Sequence, residues 1–274
     1  VAVNRAIMQV APAAKGAWAL PFVVMRAKWP VMSTTLDPRE AANFAAMAAD
    51  WWDPNGSMAP LHRLNPTRLG FLRQEISIHF DRAEAGRAPF AGLTLLDIGC
   101  GGGLVAEPMA RLGASVTGLD ATPETLEAAR LHAREAGLAI SYQDGTAEGM
   151  QQTGAQFDIV LALEILEHVA DLRLFLRAAA ALVRPGGLMI VSTINRTAQA
   201  YAVAIVGAER VLRWLPAGTH SYDKFVKPEE ITPHLAEFDI IGPTALNFDP
   251  VSRQWRIGGP AGVNYFMCAA KRAL

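Results

Sequence analysis

Residues 95–105 read LLDIGCGGGLV, an apolar run interrupted by one acid and followed by four glycines in the five positions 99–103. A short apolar run ending in such a segment reads as a buried strand that turns sharply into a helix. Gly99, Gly101, Gly102 and Gly103 can all take positive φ, and none carries a Cβ that would hold a ligand away from the backbone amides. Glycine also serves ordinary tight turns, but four in five positions behind a buried strand point to a backbone that something must approach closely.

The flanking sequence supplies the frame. From residue 93 onward short apolar runs alternate with helical segments: LTLLDIG, a helix over 103–112, SVTGLD, a helix over 122–137, LAISYQ, FDIVLAL, the helix DLRLFLRAAAALV, an RPGG turn and LMIVST. Thr122 caps the second of these helices, Pro123 takes its first position and Gly137 lies past its end. Strands separated by helices imply a mostly parallel sheet covered on both faces. The last two runs, EFDIIGPTALNF and VNYFMCAAKRA, have no helix between them and predict an antiparallel hairpin at the sheet edge, seven strands in all. Upstream, residues 37–52 suit a helix with Pro38 at its first position, and LHRLNPTRLGFLRQEI suits another entered near Pro66.

At 274 residues, 51% of them apolar, the chain can bury a full core, as one α/β domain over 37–274. A formal charge of −1 supplies no basic field for a nucleic-acid backbone. Cys100 and Cys268 stand in no metal-ligand spacing, and two cysteines in this length suit a reducing, cytoplasmic compartment. Residues 1–36 carry Arg5, Lys15, Arg26 and Lys28 and no acid. They read as an unfolded upstream extension, with Met32 a natural start, or as an organellar transit peptide.

In an open parallel sheet, ligands gather beyond the carboxyl ends of the strands where the strand order reverses. The dinucleotide fingerprint G-x-G-x-x-G fails here, because Leu104 stands where its third glycine belongs. The pattern Asp97-x-Gly99-x-Gly101-x-Gly103 instead resembles the first motif of S-adenosylmethionine methyltransferases. Asp120, 21 positions after Gly99, suits the two ribose hydroxyls of a nucleoside in either family. A sulfonium cation tolerates a carboxylate such as Asp97 close by, whereas a pyrophosphate does not.

A closer resemblance covers roughly Asp37 to Lys271. FAAMAADWWDPNGSMAPLHRLNPTRLGF, LLDIGCGGGLVAEPMARLGASVTGLD, LEILEHV, INRTAQAYAVAIVGAERVLRWLPAGTHSYDKFVKPEE and GVNYFM together resemble the ubiquinone biosynthesis O-methyltransferases. The resemblance implies a Rossmann-like class I methyltransferase fold and methylation of a 2-polyprenyl-6-hydroxyphenol and of 3-demethylubiquinol. It carries cofactor contacts onto Arg68, Gly99, Asp120 and Leu163, beside Asp97, Gly101 and Gly103 of the first motif, and sets Thr146, in QDGTAEG, near the adenine. It also implies work among other ubiquinone-biosynthesis proteins at the inner membrane.

A phenol titrates near pH 10, so holding it as phenolate at neutral pH costs about 4 kcal/mol. Glu164, Glu167 and His168 cluster after the fourth strand as candidates to offset this. They can hold Mg²⁺ against vicinal acceptor oxygens, His168 can act as base, or the segment can simply fix the loop. Residues 197–216 contain an uncharged run of 12, Thr197–Ala208, far short of the roughly 20 needed to span a bilayer. Followed by Arg210, Arg213 and Trp214, this insert reads as an amphipathic helix at the lipid interface, or as an apolar helix packed on the domain. Three rival functions remain at this level: a nicotinamide-dependent oxidoreductase, a non-catalytic quinone-binding protein, and a methyltransferase for another phenol.

Overall fold

Along β4 (Phe157–Leu163) every residue from Asp158 on is buried, and alternate side chains belong to different cores. Ile159, Leu161 and Leu163 pack on one face, Val160 and Ala162 on the other, as the two-residue strand period requires when both faces are covered. The computed structural model describes residues 35–203, 205, 221–249, 252 and 254–273. Residues 1–34 of the expected extension over 1–36, and residues 204 and 206–216 of the expected lipid-facing insert over 197–216, lie outside these.

The described chain begins with α1 (Pro38–Ala46), α2 (Ala59–His79), β1 (Thr94–Ile98), α3 (Ala106–Arg111), β2 (Ser115–Asp120), α4 (Pro123–Glu135) and β3 (Ser141–Asp144). There follow α5 (Ala147–Gln151), β4, α6 (Leu172–Ala181), β5 (Val183–Ile194), α7 (Ala198–Ala200) and α8 (Pro228–Ile231). The strands β6 (Phe238–Asp249), β7 (Gln254–Ile257) and β8 (Asn264–Lys271) close the fold. The sheet order is β3-β2-β1-β4-β5-β8-β6-β7, with β1 to β5 parallel and the remaining pairings antiparallel. Side chains of α2, α3 and α4 fill the core on one face, and those of α5 and α6 fill it on the other.

This is the expected α/β architecture, with differences in strand count, strand order and helix bounds. The sheet has eight strands, not seven, because the short run QWRI pairs with β6 and forms the edge. The β6–β8 pair is antiparallel as expected, but β8 lies inside the sheet between β5 and β6. The helices at the amino end also differ. The first stops at Ala46, and a single 3₁₀ turn over Ala48–Asp50 carries the chain to the Trp pair. The second starts at Ala59 and continues through Pro66, since burial of Phe71, Leu72 and Ile76 outweighs one missing N–H. Gly103, at φ 91°, delays α3 to Ala106, three residues after its expected start. Thr122 does precede α4, with Pro123 first in the helix and Gly137 at φ 67° beyond its end, although the Thr122 side chain makes no capping bond.

The chain leaves β1 to build β2 and β3 on one side and returns to place β4 on the other, so the order reverses between β1 and β4. That crevice lies at the carboxyl ends of both strands, where the glycine segment begins.

Candidate active site

Three of the glycines take the left-handed conformations their sequence permits: Gly99 at φ 71°, Gly101 at 51° and Gly103 at 91°. The space around them is equally restrictive. A Cβ at Gly99 would lie 2.4 Å from Ile165 Cδ1, and one at Gly101 would lie 2.2 Å from the ring of Trp51. Asp120, at the end of β2, braces the turn by accepting from Gly101 N and Thr122 N, each at 2.8 Å. Burial raises the pKa of this carboxyl, and the hydrogen bonds from those amides pull it back.

One cavity collects most of the expected residues. Arg68, Asp97, Gly99, Gly101, Asp120 and Thr146 line it together with Leu163, Glu164 and His168. Gly103 instead abuts the Tyr142 hydroxyl and does not line it. Asp97 is buried at the end of β1, and its Oδ2 has no hydrogen-bond partner among the described residues. Burial lifts the Asp97 carboxyl to about 7, the Asp120 charge adds to the rise, and the buried Arg68 guanidinium opposes it. Arg68 gives Nε and Nη2 to Asn65 Oδ1 at 3.1 and 2.8 Å, while burial lowers its pKa against the attraction of Glu164 and Asp97. Trp51 Nε1, buried in the same wall, likewise lacks a partner. Both atoms belong to residues that line this cavity, and buried polar atoms without a partner are uncommon.

The three residues considered for Mg²⁺ are not brought together. Glu164 stands at the end of β4 with φ 53°, unusual for a residue with a Cβ. Its carboxylate accepts from Ser192 Oγ at 2.7 Å and Asn264 Nδ2 at 3.3 Å. Glu167, on the following 3₁₀ turn, is buried away from the cavity and accepts from Thr193 Oγ1 at 2.6 Å. His168 turns its Nδ1 to Glu40 Oε2 at 3.2 Å. Each group is thus directed to a different protein partner, and among the described residues no set of three His, Cys, Asp or Glu side chains has metal-binding geometry.

Several lining residues escaped the sequence reading. Thr35, placed within the extension, is buried and donates to Glu148 Oε1 at 2.7 Å, so the folded chain reaches back before Asp37. Glu40, Phe44 and Trp51 also face the cavity. The acid was legible only as a first-turn helix residue. The Trp pair belongs to the stretches that carry the family resemblance, which say nothing of its role: Trp51 lies on Gly101 and Gly102, and Trp52 Nε1 donates to Gly102 O at 2.9 Å.

An open α/β sheet with a bare glycine turn at its switch point and an acid closing the next strand is the frame of a nucleoside-binding enzyme, and comparison with known proteins makes it a class I S-adenosylmethionine-dependent methyltransferase. Residues 96–191 match the family described as "Methyltransferase domain". The magnesium protoporphyrin IX methyltransferase of Synechocystis PCC 6803, solved with bound S-adenosylmethionine, shares the fold at TM-score 0.58 and 16% identity, over 88% of this chain and 100% of that one. Much closer in sequence are the ubiquinone biosynthesis O-methyltransferases of Azorhizobium caulinodans and of a Chelativorans species. The first is 51% identical over 86% of this chain and 94% of its own length, the second 49% over 87% and 95%. The chain belongs to the ubiquinone biosynthesis O-methyltransferase family.

Gly101→Ala sets both a strained backbone and a Cβ against the Trp51 ring. S-adenosylmethionine affinity is expected to fall at least about tenfold, while the melting temperature stays within a few degrees because the turn lies at the surface of a cavity, not in the core. Equilibrium dialysis beside a thermal melt checks this; unchanged affinity would contradict it. Asp97 gives a second expectation. A cation seated beside it favours the carboxylate, so below pH 7 binding must first displace a proton. Affinity for S-adenosylmethionine should weaken as pH falls from 7.5 to 5.5, by up to about tenfold per unit, and Asp97→Asn should flatten that dependence.

Proposed function

We propose that this chain transfers the methyl group of S-adenosylmethionine to a ring hydroxyl of two polyprenylated acceptors in ubiquinone biosynthesis, a 2-polyprenyl-6-hydroxyphenol and 3-demethylubiquinol. The observation that carries this reading is a single cavity in which the glycine turn and Asp120 share a wall with His168, in a chain about half identical to enzymes named for ubiquinone biosynthesis.

The proposed roles follow from position and charge. Asp97 and Arg68 take the ammonium and carboxylate of the methionine end, Arg68 with the paired donors of a guanidinium. Asp120 retains lone pairs for the ribose hydroxyls beyond its two amide bonds. Leu163, the last residue of β4, and Thr146, the cap of α5, flank the adenosine. The bound donor supplies a methyl carbon already activated by its sulfonium, so alignment and proton removal are what the protein must add. His168 accepts the phenolic proton on Nε2, leaving the oxygen to form its new bond to carbon as the carbon–sulfur bond breaks and its electron pair returns to sulfur. Burial lowers the pKa of His168, but Glu40 and Glu167 more than offset this and raise it overall. A more basic imidazole is better matched to a phenol. Glu164, fixed by Ser192 and Asn264, sits where it can accept a hydrogen bond from a second acceptor hydroxyl.

The acceptors' polyprenyl tails suggest a lipid surface. We assign residues 197–216 to the interface of the inner membrane on its cytoplasmic side, with residues before the folded domain as an extension. Exposed Tyr201 and Val203 at the start of that segment support the reading. Among the described residues no helix is long and apolar enough to cross a membrane, in keeping with contact at the surface. Cys100 and Cys268 are free and buried, as a reducing compartment allows.

Labelled-methyl transfer to 3-demethylubiquinol with a short prenyl chain is expected to give the O-methylated quinol, and His168→Ala to lose about a hundredfold or more in kcat with cofactor affinity kept. Methylation of simple catechols alone would instead favour another phenolic substrate. In liposome flotation, replacing Tyr201 and Val203 with Ser should reduce recovery of folded protein with the vesicles; unchanged recovery would remove the lipid assignment.

A further inference from the structure

Two aromatic rings from the amino-terminal segment meet at the wall of the cavity. Trp51 is buried, and its ring lies along the backbone of Gly101 and Gly102, where an added Cβ would come to 2.2 and 2.3 Å from it. Phe44, on α1, packs against Trp51 with ring centroids 6.3 Å apart and planes at 50°. Both side chains line the cavity that Arg68, Asp97, Gly99 and Asp120 share.

For the fold alone, tryptophan is a poor choice at position 51. Its Nε1 is buried without a hydrogen-bond partner among the described residues, whereas leucine or methionine could pack beside Met58 and Leu104 and strand no donor. Phe44 is only half-buried, on a helix that has no fully buried residue, so it contributes little to the core. What these two side chains add over aliphatic ones is a ring face, whose quadrupole attracts a cation.

The covalent structure of the donor dictates where its cation lies. The sulfur is bonded on one side to the methionine chain and on the other to the ribose. With Arg68 and Asp97 assigned to the methionine end and Asp120 to the ribose, the sulfur falls between them, along residues 99–101. Trp51 lies on that stretch, over the same Gly101 whose amide Asp120 holds.

We propose that Trp51, backed by Phe44, recognises the positive charge of the bound donor, so that the site favours the sulfonium over the neutral thioether left after transfer. The inference rests on the donor site proposed above. It gives that site a direction. When the carbon–sulfur bond breaks, the methyl group passes to the acceptor oxygen and the electron pair returns to sulfur. The charge that the rings attract is then gone, and the spent cofactor is held less tightly than the fresh one.

The test is calorimetric titration of the full chain with S-adenosylmethionine and, separately, with S-adenosylhomocysteine, comparing the wild type with Trp51→Leu, Trp51→Phe and Phe44→Leu. Trp51→Leu is expected to weaken sulfonium binding about five- to twentyfold and thioether binding by no more than about twofold. Trp51→Phe keeps a ring face and should retain most of the preference. Phe44→Leu should shift the ratio of the two dissociation constants the same way, by about two- to fivefold, and it supplies the answer if Trp51→Leu folds poorly. The two ligands share their carboxylate, ammonium, ribose and adenine. A ring that only packs, or an Nε1 that only donates to the carboxylate, therefore weakens both alike. Equal losses for the two ligands, or an unchanged ratio in the folded Leu variants, would overturn the charge recognition. A wild-type chain that binds neither ligand would overturn the donor site on which the inference rests.

Discussion

The absence of side-chain carbon at positions 99 and 101 is the constraint on which the site depends. At these positions the backbone is left-handed and the space beyond it is taken, by Ile165 in one case and Trp51 in the other. Any residue but glycine would have to displace a packed group and adopt a conformation L-residues resist. In return the turn presents a bare backbone at the one crevice of the sheet where a ligand can lie between two diverging strand-to-helix connections. Asp120 then serves the fold before it serves any ligand, because its carboxylate ties the Gly101 amide to the start of α4.

Around this turn the chain closes a cavity from segments far apart in sequence. Trp51 lies on the glycine backbone, and Trp52 is stacked on His132 with ring centroids 3.5 Å apart. His132 in turn meets the buried Glu107 at 2.6 Å. Thr35 ties the entering chain to Glu148 on α5, and Lys224 ties the first turn of α1 to the segment ahead of α8. Most of these ties are single hydrogen bonds or partly exposed ion pairs, each worth about 1 kcal/mol or less. The amino-terminal cover therefore rests on modest contacts, whereas the floor beneath it is built from two cores of fully buried side chains.

The sheet was legible because its signals are local: apolar runs of strand length, glycine after them, proline and threonine where α4 begins. The residues expected at the cofactor share one cavity for the same reason, since Asp97, Gly99, Gly101, Asp120, Thr146 and Leu163 all sit at or just beyond strand ends that the sheet brings together. What could not be read was pairing over distance. Nothing in the spacing of residues 40, 168 and 224 announces that their charges meet, and Glu40 looked like any first-turn acid. The partners of Glu164, Glu167 and His168 were hidden in the same way: a left-handed residue at 164 and a 3₁₀ turn over 166–168 bring the three side chains to hydrogen-bond partners on β5, β8 and α1. The short β7 was missed because four residues of mixed polarity carry little periodic signal.

Whether the cavity is a nucleoside site is tested most directly by calorimetric titration of the intact protein with S-adenosylhomocysteine, the product left after methyl transfer. The account predicts saturable uptake of one molecule per chain, competed by S-adenosylmethionine and untouched by NAD. Well-folded protein that takes up neither thioether nor sulfonium, or that binds NAD in their place, would contradict it.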